Sequence, residues 1–187
     1  MNPKFMPDFS PLPFLSGPMA QSFLASYKSK TDVRLGVPKD SVWKLIRTPE
    51  QVSLLSLWNE CPNPKGYILM IHGWEGSHLS SYMVRTKQFF LREGYSIIRL
   101  NLRDHGETHH LNEGLFNGSL LQETYSAVYE ISKMIPKGMP LFLLGFSLGG
   151  NFVLRIAKSH SESPKQKQIQ NLKHSFSISP ALDPLAA

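Results

Sequence analysis

The apolar run Leu141-Phe142-Leu143-Leu144 leads straight into Gly145-Phe146-Ser147-Leu148-Gly149-Gly150, and a helical pattern follows with no spacer. A strand that reverses into a helix around one residue leaves little room for the backbone. Glycines two places before and two places after the serine remove the Cβ atoms that would collide there. The pattern therefore predicts a strand, a strained turn and a helix, with the Ser147 hydroxyl lifted clear of a sheet end. Ser147 is the candidate nucleophile. Leu148, the next residue, places its backbone N–H at the positive end of a helix dipole, where negative charge developing on an oxygen would be stabilised.

The rest of the chain repeats the alternation of strand and helix. Val52–Trp58, Gly66–Ile71, Tyr95–Leu100, Leu141–Leu144 and His174–Ile178 read as strands. Leu79–Glu93 carries Leu79, Tyr82, Met83, Thr86, Phe89 and Phe90 on one helical stripe and ends at Gly94, a C-terminal stop signal. Ser119-Leu120-Leu121-Gln122 has the spacing of a capping box, ahead of a helix that Pro136 stops. Leu148–Lys158 is the helix behind the serine, and 161–170 is a polar loop. Such an order implies β-α-β crossovers, and so an α/β fold: a mostly parallel sheet with helices on both faces. Residues 1–50 read as an N-terminal surface segment, with prolines 3, 7, 11, 13 and 18 favouring extended backbone over the first 20 residues. Residues 51–187 form the α/β domain.

Composition narrows the function classes. Twenty Lys and Arg against fourteen Asp and Glu give a formal charge of +6, yet the basic residues are dispersed apart from a modest patch over 165–173. A basic surface is the reading, and nucleic acid is not an expected partner. Cys61 is the single cysteine, which excludes an internal disulfide. No stretch approaches the ~20 apolar residues of a membrane span, and no signal peptide is visible. A cytoplasmic protein with no cofactor is expected.

A serine hydroxyl needs a base to remove its proton and donors to hold the oxyanion that its attack creates. The loop His72-Gly73-Trp74-Glu75-Gly76-Ser77 follows an earlier strand, where a second donor belongs, and the backbone of Trp74 is assigned that role. His72 is a candidate base, with a brace for the loop as its other reading. Asp183, after the last strand, is a candidate acid or a plain Asp-Pro turn. His105, His109 and His110 also fall in a loop at the same sheet end, but their spacing offers no fourth ligand for zinc.

HGWEGS, NLRDHGET, GFSLGGN and the final SPALDP together resemble the α/β-hydrolases, and more narrowly the YheT-like branch, AB hydrolase family 4. The resemblance runs from about residue 7 onward. It implies a serine hydrolase acting on carboxylic esters through an acyl-enzyme, with a small-molecule ester as its partner. Many members of the superfamily have glycine where this chain has Asp104, so that loop is expected to differ in shape. The resemblance also sets the chain order serine, acid, histidine. Only His160 and His174 follow Ser147, and neither is expected to face it. At ~30 residues per β-α-β unit, on the order of 60 residues would carry the missing acid and base. The sequence accordingly reads as a C-terminally truncated hydrolase with impaired turnover, or alternatively as a non-catalytic product or binding fragment.

Overall fold

The computed structural model describes residues 10–26, 37 and 41–182. Its centre is a six-stranded sheet: β1 (Val42–Arg47), β2 (Ser53–Asn59), β3 (Tyr67–Ile71), β4 (Ser96–Leu100), β5 (Leu141–Phe146) and β6 (Leu172–Ile178). The spatial order is β1-β2-β4-β3-β5-β6. β4, β3, β5 and β6 run parallel, while β2 pairs antiparallel with both β1 and β4. Parallel neighbours need crossovers. These are α2 (Ser81–Arg92), α3 (Leu121–Met134) and α4 (Leu148–Glu162).

Every residue of β3 and of β4 is buried, because both faces of these strands are covered. Alternate side chains serve different layers. Leu69 and Ile71 join Ile98, Leu100, Leu141 and Leu143 beneath α3 and α4, where Val128, Ile131, Phe152 and Ile156 meet them. Ile68, Met70, Ile97 and Leu144 face the other way, toward Met83, Tyr82 and Phe90 of α2. Burying each such side chain contributes roughly 2 kcal/mol. The edge strand β6 is different. Its Phe176 and Ile178 are about half exposed and help line an apolar cleft of about 480 Å3 beside α2.

Several expectations need correction. β1 lies within the segment read as surface, yet it forms a sheet edge. Its signal was missed because Val42, Trp43 and Leu45 stay largely exposed and the strand is short. Pro18–Ser26 is a helix, α1, rather than extended chain, with Pro18 at the first helical position, where its fixed φ and missing N–H do no harm. The capping box does not form: the Ser119 hydroxyl donates to Asn117 Oδ1, and α3 starts after Leu120 without a side-chain cap. Phe89 sits on the exposed side of α2. The Gly94 stop is present, at φ 85°.

Candidate active site

β3, β4, β5 and β6 end together, since Ile71 pairs with both Leu100 and Gly145, and Phe146 with Ile178. The loops leaving these ends build the site. At the β5–α4 junction Ser147 adopts φ 50° and ψ −115°, a region nearly reserved for glycine. Such a conformation costs on the order of 1–3 kcal/mol and persists only where its surroundings impose it. They do so here. The Ser147 N–H donates to Ile178 O at 2.9 Å, and the Ser147 carbonyl accepts from Asn151 N–H at 3.0 Å in the first turn of α4.

The flanking glycines are demanded by contact. A Cβ on Gly145 would fall inside the Gly149 carbonyl group and 2.6 Å from Gly150 N, and a Cβ on Gly149 would strike the carbonyls of Ile71 and His72. The helix start thus lies directly on the end of β3, and the serine is exposed above it. Leu148 is the first residue of α4, and its N–H has no acceptor among the described residues.

The 72–77 loop is held by side chains. His72 is fully buried; Leu102 N–H donates to its Nε2 at 3.1 Å, which leaves Nδ1 to carry the proton and donate to Gly73 O at 2.8 Å. Burial, above all, pushes the imidazole down to about 3, so it stays neutral. With both nitrogens engaged, His72 braces the loop and does not act as a base on Ser147. Gly76 N–H closes a turn onto Gly73 O at 3.0 Å, with Glu75 at φ 51°. Trp74 sits within that turn, its N–H also without a described acceptor and its side chain 62% exposed. Gly73 N–H donates to the Tyr82 hydroxyl at 2.9 Å. Further along, Ser77 N–H donates to Ser80 Oγ and His78 N–H to Asn101 Oδ1.

Gly73, Trp74, Tyr82, Phe146, Ser147 and Ile178 line a cleft of about 360 Å3. Trp74 also walls a second cleft of about 530 Å3 shared with Asp104, His105 and His109. There Asp104 takes φ 57°, so the loop keeps a left-handed residue at the position where glycine is common, and aspartate is among the residues that tolerate this. Its carboxylate bonds the His109 ring, which holds it below the ordinary carboxylate range.

The structure therefore brings together Ser147, Leu148, Trp74 and, behind them, His72. Asp183 lies outside the described residues. His160 sits at the far end of α4, accepting from Ile169 N–H, and His174 stands in β6. Among the described residues no histidine is hydrogen-bonded to Ser147, and no group of three or more His, Cys, Asp or Glu could hold a metal ion. Tyr82 was read from sequence only as part of the apolar stripe of α2. Its place beneath Gly73, nine residues away in the chain, had no local signal.

Comparison with solved structures finds the same fold in several esterases. The Pyrococcus furiosus esterase Pf2001 superposes with a TM-score of 0.63 at 20% identity, covering 82% of this chain and 55% of that one. Est1E from Butyrivibrio proteoclasticus with bound ferulic acid gives 0.60 at 20% identity, covering 74% and 53%. Brefeldin A esterase, a bacterial homologue of human hormone-sensitive lipase, gives 0.61 at 13% identity, covering 89% and 48%. The chain thus spans about half the length of these esterases. No curated protein sequence matches it. Residues 62–182 match the family model Hydrolase_4, described as serine aminopeptidase, S33, and the chain belongs to that family.

Proposed function

We propose that this chain is the nucleophile-bearing part of a serine hydrolase that cleaves small-molecule carboxylic esters through an acyl-enzyme. The observation that carries the reading is the backbone of Ser147, at φ 50° and ψ −115° beside two N–H groups with no described acceptor. A strained residue tolerated at the mouth of a cleft points to work done by its side chain. In the proposed reaction Ser147 Oγ attacks the acyl carbon. The Leu148 and Trp74 N–H groups take the charge that develops on the carbonyl oxygen, and the alcohol leaves. The esterase neighbours share the fold, and HGWEGS with GFSLGGN supports the YheT-like branch within it.

The acid and base are proposed to follow Ser147 in chain order, outside the described residues. Asp183 stays a candidate acid. Residues 1–187 alone are then expected to turn over slowly, because loss of the base costs several orders of magnitude while the oxyanion donors leave a residual rate. That no histidine among the described residues is hydrogen-bonded to Ser147 favours one other reading, a non-catalytic binding product. A cytoplasmic setting belongs to this proposal, resting on the one free thiol, Cys61. No helix among the described residues is long and apolar enough to cross a membrane.

Labelling the purified chain with a fluorescent fluorophosphonate, beside Ser147→Ala, tests the reading. Labelling that vanishes in the alanine variant supports an activated serine. A folded chain that labels no faster than Ser147→Ala holds no base for Ser147.

A further inference from the structure

Besides Ser147, the cleft is lined by two hydroxyl-bearing side chains, Tyr82 and Ser179, and that of Tyr82 is bonded to the loop that carries the Trp74 N–H. The residue is the second of α2, half-buried, with its ring tilted against Phe146 at 4.8 Å between centroids. Packing on Phe146, the residue before the serine, fixes the ring. Its oxygen accepts the Gly73 N–H at 2.9 Å. An ideal Cβ built on Gly73 would stand 3.3 Å from Ser147 Cβ and 3.5 Å from the Tyr82 oxygen, so all three groups meet at one point of the cleft floor.

A phenol oxygen that accepts one hydrogen bond still has its own proton to give. No described residue receives it: every hydrogen bond recorded for this hydroxyl is the one from Gly73. Phe146 packs on its ring, the backbone of Gly73 and Gly76 closes its loop side, where a Cβ on Gly76 would lie 2.6 Å from the oxygen, and the cleft it lines with Ser147, Ile178 and Ser179 is its open side. The Gly73 bond also orients the phenol, since accepting from one side restricts where the O–H can point. We infer that the Tyr82 hydroxyl donates to the acyl carbonyl oxygen of a bound ester, as a third donor beside the Leu148 and Trp74 N–H groups. The role rests on the hydrolase reading only for the identity of the ligand.

A Tyr82→Phe chain tests the donor first. The rate of Ser147 labelling by the fluorophosphonate should fall on the order of 10²-fold, the usual loss for one oxyanion donor. That variant also strips an acceptor from Gly73 N–H, so a second measurement separates donation from bracing. Difluorotyrosine, whose phenol ionises near neutral pH, is placed at position 82 in a Ser147→Ala chain that cannot cleave ester. Its fluorine resonance is followed during titration with methyl butyrate at pH values below and above that ionisation. A phenolate still accepts from Gly73 but can no longer donate. The expected result is a saturable shift on the acid side and binding about fivefold weaker on the alkaline side, equivalent to one neutral hydrogen bond. No saturable shift, or equal affinity on both sides, overturns the donor role and leaves Tyr82 a brace. Absence of Ser147 labelling in the unsubstituted chain, with the fluorine shift intact, overturns base activation of Ser147 within residues 1–187 and leaves the donor in place.

Discussion

Two loops frame the same cleft, and they are held in opposite ways. The turn from 145 to 149 is held by exclusion. Backbone from β3 and α4 fills the space beside it so completely that only glycine fits at its two flanks, and Ser147 is forced into a conformation it would not choose. The loop from 72 to 77 is held by tethers. Side chains of His72, Tyr82 and Ser80 reach it from its own first residue, from α2 and from the residue before α2, and Asn101, just after β4, holds His78 next to it. A steric lock gives a nucleophile one position. A tethered loop can relax if one tether is cut, which suits a donor that must adapt to the oxygen it receives.

The difference yields graded tests. Gly149→Ala should be the most damaging change, because its Cβ meets two carbonyl groups of the sheet rather than a movable side chain. A loss on the order of 4 kcal/mol or failure to fold is expected by urea denaturation, and a mild loss would show that the lock yields. His72→Ala comes next, at about 3 kcal/mol, from a cavity together with an unpaired Leu102 N–H.

His72 also sets a pH window. Its folded value near 3 lies below the ordinary 6.5, so the unfolded chain binds the extra proton. Its contribution is complete above 6.5, falls as pH drops toward 3 by up to about 1.4 kcal/mol per unit, and levels off below that. The slope should flatten in His72→Ala; an unchanged slope would assign the acid sensitivity elsewhere.

Ser147→Gly should go the other way. Relief of backbone strain is expected to leave it about 1 kcal/mol more stable than Ser147→Ala, read as a higher urea midpoint at constant slope, while neither variant labels. Equal midpoints would mean the elbow stores no strain. The smallest effect is expected for Ser80→Ala, which cuts a single tether to Ser77 N–H. It should lower stability by about 1 kcal/mol and leave Ser147 labelling within a few-fold of the parent. A larger loss of labelling would show that the tethered loop is as rigid as the locked one.

Much of this was legible in advance where the signal is local. Gly145, Ser147 and Gly149 announce the elbow, and the apolar runs at 67–71 and 141–144 announce parallel strands buried on both faces, while 96–100 is buried with Ser96 and with Arg99, which donates to His78 O and Asn59 Oδ1. β1 was not legible. An exposed edge strand has no such demand on it, and Val42-Trp43-Lys44-Leu45 carries no clean alternation. The start of α3 was misread because Ser119 turned to Asn117, a nearer partner than the helix it precedes. Nor could periodicity separate Phe89 from Phe90, which differ by one step around α2 yet face solvent and core respectively.

The sequence by itself determined the order of elements from β2 onward, the strained serine and the two glycines that permit it, since periodicity and steric exclusion act between residues close along the chain. Only the tertiary structure decided that His72 is a neutral brace and not a base. It also decided that Asp104 engages His109, and that a tyrosine from α2 reaches under Gly73 into the Ser147 cleft. Hydrogen bonds and burial depend on which loops the sheet brings to one end, and that meeting is set by strand order rather than by any neighbouring residue.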